Sequence, residues 1–362
     1  MPRKLTSLER VMTTLNLKEP DRVPTFELII DKKVRDAISP GISIEDFVDL
    51  MDLDAACYYD WAYDRYEPVD KEKGLIRDKF GILKKWTTEV DPMPIEANIK
   101  SEKDLEGYVL PDPSPSKAPW KYEPIEKAVK RFKGKRPVVA SVVDVFYVVD
   151  EMRGMANHLM DMIRNPALID RLNEIVLNYN LEFIRNCIKI GVDIIWVTGD
   201  LAGNSGPLAS PKHMERFAIG PLKAQVDECK KHGIPCLKHT DGNIWSIFDM
   251  LVNTGIAGIH PIDPGAGMDI GEAKAKYGSR VCLIGNIDCG ALLTMGTEEE
   301  VRQSVKECIR KAGKGGGLIC TSSNSIHSGV PAQNYLAMLK AIRDFGKYPL
   351  SLWVQEQGFE CG

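Results

Sequence analysis

DIIWVTGD, residues 193–200, and IPCLKHTDGN, residues 234–243, are two short apolar runs that each end in a polar cluster. Both are rich in β-branched and apolar residues and bounded by Gly or Pro, the pattern of strands buried on both faces of a parallel sheet. Between them Pro211–His232 carries a helical period. Strand, helix and parallel strand make one βαβ unit. The same alternation extends outward in both directions. Upstream lie Val23–Ile29 (VPTFELI), Ala55–Trp61 (AACYYDW) and Val138–Val143 (VVASVV); downstream lie Ala257–Ile262, Val281–Asn286 and Gly317–Ser322. The helical segments include Pro166–Ile190, Trp245–Asn253 and Val301–Ala312, the last opened by a capping box at Thr297-Glu-Glu-Glu300.

Eight strands alternating with helices predict an α/β fold of the (β/α)8 TIM-barrel type with an N-terminal helical extension. A doubly wound sheet wants a Gly-rich turn after its first strand, and ELIIDKKV (27–34) has no glycine there. Residues 63–133, between the second and third strands, form an elaborated connection rich in Pro, Lys and Asp (LPDPSPSKAPW, 110–120). It has too few clustered apolar residues for a core of its own. The chain is therefore expected to be a single domain over 1–362, with 63–133 inserted within it.

Of the 362 residues, 44% are hydrophobic and 27% charged, which excludes a disordered or fibrous chain. The 47 basic and 51 acidic residues, net charge −4, are spread along the length without a basic stripe, so nucleic acid is not an expected partner. The opening MPRKLTSLERVMTTL has no apolar core of a secretory signal, and no window approaches a membrane span. A cytoplasmic location is expected. The nine cysteines lack any C-x-x-C pair and are expected to be free, mostly buried thiols rather than an all-cysteine zinc site.

In a barrel of this type chemistry sits at the C-terminal ends of the strands. Those ends carry Glu27; Tyr59, Asp60 and Trp61; Asp200; His239, Asp241 and Asn243; His260 and Asp263; Asn286 and Asp288; and Ser322, Ser323 and Asn324. Each alone has a plainer explanation: Asp200 or Asp241 as a helix cap, His260 as a core histidine. Convergence of four or more on one mouth points to an active site. The aromatics Tyr58, Tyr59, Trp61, Tyr63, Phe146 and Tyr147 would suit an aryl substrate, or else pack the connection against the barrel.

Six segments in order carry a family resemblance. They are SLERVMTTLNLKEPDRVP (7–24), EMRGMANHLMDMIRNPALIDRL (151–172), GPLASPKHMERFAIGPLKAQVDECKKHGIPCLKHTDGNI (206–244), GIHPIDPGAGMDI (258–270), LIGNIDCGALLTMGT (283–297) and GGGLICTSSNSIHSGVPAQNYLAML (315–339). Together they resemble the uroporphyrinogen decarboxylase superfamily, which also contains corrinoid and coenzyme M methyltransferases. The chain departs from the decarboxylases where they hold the substrate's carboxylates. FELIIDKKVRDA (26–37) has no arginine before Arg35 in place of the Arg-rich loop, and SNSI, with Asn324, stands where a His-bearing GHGI-type motif is expected. It departs from the H-x-C zinc site of the methyltransferases too: His239 matches, but Asp241 replaces the first Cys and Asn324 the last, with Cys320 four residues early.

A His and carboxylate set is harder than a thiolate set and suits polarising an oxygen. The resemblance extends to the first methyltransferases of anaerobic O-demethylase systems. It thereby implies methyl transfer from an aromatic methyl ether to the cobalt of a corrinoid protein, with Zn2+ drawn from a pool of Asp200, Glu215, His239 and Asp241. Asp200, His239 and Asp241 are the catalytic candidates. Glu27, Tyr59, Trp61, Tyr147, His260, Asn286 and Asn324 are the candidates for contacting substrate. The chain has no D-x-H-x-x-G motif for B12, so the corrinoid is expected on a transient partner protein, docked over a mouth bordered by Asp60, Trp61 and Ser322–Val330. A homodimer is left open. The alternatives are a decarboxylase or lyase acting on another small substrate, and a binding protein that kept the barrel without the metal.

Overall fold

The computed structural model describes residues 4–88 and 91–350. Along the chain the strands are β1 (Ala56–Tyr59), the short β2 (Glu67–Asp70), β3 (Leu75–Arg77), β4 (Leu83–Lys85) and β5 (Met93–Glu96), then β6 (Val138–Val143) and β7 (Ile194–Thr198). The two-residue pair β8 (Ala202–Gly203) and β9 (Gly206–Pro207) follows, with β10 (Cys236–His239), β11 (Gly258–His260), β12 (Cys282–Ile287) and β13 (Leu318–Ser322). The chain divides into two compact units. One runs from Lys4 to Cys57, takes in Phe132–Pro137, and resumes from Ala257 to the end of the described chain; the other is Tyr58–Arg131 with Val138–Ile256.

In the second unit β6, β7 and β10 pair in parallel, with Val143 opposite Thr198 and Thr198 opposite His239. This register sets the C-terminal ends of β7 and β10 level, which brings their following loops together. The helix Pro166–Ile190 begins on a proline and is closed by Gly191 in the left-handed conformation. It buries Leu168, Leu172, Val176, Tyr179, Phe183 and Cys187 at spacings of three and four, each worth about 1.5–3 kcal/mol for a large apolar side chain. The 63–133 connection contains an antiparallel meander, β2-β3-β4-β5. Its inner residues Ile76, Phe80 and Ile82 are buried, and Phe80 meets Tyr179 of that helix edge-on at 5.2 Å.

In the first unit β11, β12 and β13 form a second parallel ladder; the helix Glu298–Ala312 packs on β12 and β13, and the helix Ala332–Phe345 packs on that helix. The expected capping box is formed: Glu300 N–H donates to Thr297 Oγ1 at 3.3 Å and Thr297 N–H donates to Glu300 Oε2 at 2.7 Å. The helix Ser7–Leu15 supplies Arg10, buried and paired with Asp21 and Asp54 at 2.7 Å each. Burial pulls the Arg10 guanidinium down, but its bonds to Asp21 and the charge of Asp54 hold it above its ordinary value.

Seven of the eight expected strands are present, each within a residue or two of its reading. Val23–Ile29 is the exception, a buried extended segment without a ladder. Pro24 has no N–H to donate, and its carbonyl accepts from Cys320 at 3.0 Å. Thr25 N–H is taken at 2.9 Å by the Asp54 side chain, while Thr25 C=O accepts from Asp54 N–H at 2.7 Å. The segment thus bonds to β13 at Pro24, while at Thr25 the Asp54 carboxylate takes the N–H that a continuous ladder would use. The eight described cysteines are free and buried; Cys361 lies outside the described residues.

Candidate active site

The loops after β7 and β10 are knitted to each other. Gly199 N–H donates to His239 C=O at 3.3 Å, Leu201 N–H to Thr240 Oγ1 at 2.9 Å, and Asn243 N–H to Gly203 C=O at 2.9 Å. Two glycines permit this closeness. At Gly199, φ +148, a Cβ would stand 2.8 Å from Tyr147 Cβ; at Gly242, φ +90, it would stand 2.5 Å from the Ala202 carbonyl oxygen. Underneath, the fully buried Lys238 donates to Asp144 Oδ2 at 2.5 Å and to Gly199 C=O at 2.8 Å. Asp144 also caps the helix Val145–Arg153. One ammonium thus ties together the ends of β6, β7 and β10.

On this frame sit Asp200, His239 and Asp241. His239 Nε2 is 3.6 Å from Asp200 Oδ1 and 3.7 Å from Asp241 Oδ1, and Asp241 N–H donates to Asp200 Oδ1 at 2.8 Å. One nitrogen and two carboxylate oxygens lie within 4.8 Å of one another, the one such group of His, Cys, Asp and Glu among the described residues. Tetrahedral zinc with bonds of about 2.0–2.1 Å holds its ligand atoms about 3.3 Å apart. The two His239–aspartate spacings meet that with shifts of a few tenths of an ångström, and three protein donors would leave a position for substrate. The residues present fit zinc. Burial, and then the Lys238 ammonium, push the His239 imidazole down to about 3, so it is neutral with a lone pair to give. Burial lifts the Asp200 carboxyl above its ordinary value, against the Asp241 N–H and the Lys238 charge.

Glu215 is not brought to this group. It opens the π-helical turn Glu215–Ile219 with its side chain exposed, while Met214 and Phe217 on the opposite face are buried. Among the aromatics of this unit, Tyr59 and Trp61 stack at 4.8 Å, and Trp61 and Tyr147 line one small cavity. Tyr58 and Phe146 are core residues. Asp60, expected on the rim, is buried and paired with Lys79 at 2.7 Å, so it offers no charge to a docking protein.

The remaining candidates lie in the first unit. Glu27 is buried and accepts from Ser322 Oγ–H at 2.6 Å and from Ser322 N–H at 3.2 Å; its burial lifts the carboxyl to about 8. His260 Nε2 is 3.1 Å from Ser322 C=O. Asn286 donates to Ile262 C=O at 3.2 Å, and Asn324 is half-buried after β13. Sequence reading missed Lys238 and Asp144. The signal is a lysine inside an apolar strand, one residue before the expected metal histidine, and Asp144 stands at a strand end like Asp200.

In fold the chain is like a methyltransferase from Methanosarcina mazei, with a TM-score of 0.75, 17% identity, and coverage of 94% of this chain and 99% of that one. The α/β fold is of the TIM-barrel class. The family model "Uroporphyrinogen decarboxylase (URO-D)" matches residues 78–345, and the chain belongs to that family. Relatives include the uroporphyrinogen decarboxylase of Psychromonas ingrahamii, 24% identical over 68% of this chain and 69% of that protein. The methylcobamide:CoM methyltransferase MtbA of Methanosarcina acetivorans is 23% identical over 70% and 72%. Other relatives match over less: the decarboxylase of Actinobacillus succinogenes is 25% identical over 51% of each chain. No helix among the described residues is long and apolar enough to cross a membrane.

Proposed function

We propose that this chain is a metal-assisted, corrinoid-dependent methyltransferase that takes the methyl group of an aromatic methyl ether and passes it to the cobalt of a separate corrinoid protein. The observation that carries the reading is the Asp200–His239–Asp241 group. Relatives named as methylcobamide methyltransferases support the corrinoid part. The absence of the Arg-rich loop and of the substrate-contacting His speaks against a polycarboxylate substrate.

His239, Asp200 and Asp241 would hold Zn2+. Bound there, it supplies a Lewis acid that stabilises the charge of a departing phenolate. The chain's own residues do the rest. His239 stays unprotonated and is aimed by its place at the end of β10. The Asp241 backbone N–H fixes Asp200 Oδ1, leaving the other carboxylate oxygen to orient a ligand or exchange a proton. Trp61, Tyr59 and Tyr147 would hold the aryl ring. One folded domain over the whole length, with the 63–133 connection inserted in it, is part of this proposal.

The test is a zinc-replete assay with a cobalt(I) corrinoid protein and a panel of aryl methyl ethers, read as methyl-cobalt absorbance. Release of CO2 from a substrate, with no methyl transfer to any ether, would replace this reading with the decarboxylase one.

A further inference from the structure

The helix Val145–Arg153 and the β3–β4 turn enclose a cavity of about 30 Å³, room for about two water-sized occupants. Four carboxylates line it, Asp64, Asp78, Asp91 and Glu151, against the two ammonium groups of Lys79 and Lys84. Both lysines are already engaged: Lys79 at 2.7 Å from Asp60 and 2.8 Å from Asp64, Lys84 at 2.7 Å from Glu151 and 3.5 Å from Asp78. Behind them Lys121 meets Asp64 and lies 3.9 Å from Asp60. Five acids thus face three lysines. The Glu151 side chain is 7% exposed, and its Oε1 is buried with no hydrogen-bond partner.

A surplus of buried negative charge is too costly to stand uncompensated. Either protons or a cation must neutralise it. Among the described residues these carboxylates form no converging group of three, which disfavours a divalent ion. A weakly hydrated monovalent cation tolerates longer contacts, and the Trp61 and Tyr147 side chains line the same wall.

We propose that this cavity is a monovalent-cation site, taking K+ or NH4+, with Glu151 Oε1 as its principal oxygen. The site is independent of the methyl-transfer reading. Occupancy would brace Trp61 and the helix that carries Tyr147. Protons are the competing occupants. Burial raises Asp91 to about 6, Glu151 to about 7 and Asp78 above its ordinary value; Lys84 opposes all three shifts, and Lys79 those of Asp91 and Asp78. Cation binding should therefore strengthen as pH rises and fade as protons fill the site.

The test uses the full chain in chloride salts of K+, NH4+ and N-methylglucamine, the last too bulky to enter, at constant ionic strength. At about pH 8.5, K+ or NH4+ should raise the melting temperature by a few degrees in a saturable way, as any ligand of the native state does. The gain should vanish near pH 5.5 and in Glu151→Gln. Should that variant not fold, a saturable change of tryptophan fluorescence in the unaltered protein on K+ titration, absent with N-methylglucamine, supports the site. Equal melting in all three salts at high pH overturns it, as does a K+ response undiminished in folded Glu151→Gln.

Discussion

His239 is buried and neutral, and its two carboxylate neighbours come from different loops. Removing it should abolish metal binding while leaving the barrel intact, since the site buries little apolar area. His239→Ala is expected to lose zinc by metal analysis and turnover by about 10²-fold or more. Asp200→Asn should cut turnover comparably, with the melting temperature within a few degrees of the parent. Glu215→Gln, on an exposed turn, should keep full zinc content. A zinc-replete His239→Ala, or a zinc-free Glu215→Gln, would reassign the ligands. Histidine and both aspartates were legible in the sequence because strand ends collect chemistry and because positions 239 and 241, two apart on an extended chain, face one side. Glu215 entered by resemblance alone. The direction in which a helical turn exposes a side chain is set by the packing of Met214 and Phe217, which spacing does not reveal.

Lys238 ties three strand ends through Asp144 and Gly199, so the energetics at the scale of elements are those of a buried ion pair. Lys238→Met leaves Asp144 buried and uncompensated and should cost about 3–5 kcal/mol. The double variant Lys238→Met/Asp144→Asn should recover most of that, because both charges go together. Equilibrium denaturation of the four proteins measures the coupling; additive single effects would show that the pair is not a unit. Glu27, between the irregular first segment and β13, gives the opposite case of a buried acid without a cation. Its carboxyl sits at about 8 against an ordinary 4.5. Between those values the folded chain keeps a proton that the unfolded chain releases, so stability falls as pH rises through the window and is level above it. Glu27→Gln should therefore raise stability by a few kcal/mol near pH 8.5, since each tenfold change in proton affinity corresponds to about 1.4 kcal/mol, and give no gain near pH 4. An equal effect at both ends would mean the carboxyl titrates normally. Strand periodicity located the parallel strands well, since burial on both faces demands β-branched runs. It over-read Val23–Ile29, where apolar burial is real but Pro24 and the Asp54 carboxylate replace the ladder.

For the whole molecule the central expectation is dependence on a second protein. On the proposed reading cobalt(I) would approach the methyl carbon opposite the departing oxygen, carried there by a corrinoid protein. Zinc-loaded chain mixed with an aryl methyl ether alone should release no phenol. Adding the cobalt(I) form of a corrinoid protein should start transfer at a rate first order in that protein at low concentration. On that reading the complex would form and separate at each turnover, so charge should govern encounter more than final affinity. With a net charge of −4 spread over the surface, the second-order rate should change with ionic strength while zinc content and the melting temperature do not. The rim that steers this encounter excludes Asp60, whose charge is spent on Lys79 inside the molecule, so Asp60 variants belong to stability and not to docking. Phenol release in the absence of any corrinoid protein would remove the partner from the mechanism and, with it, the methyl-transfer reading of the metal group.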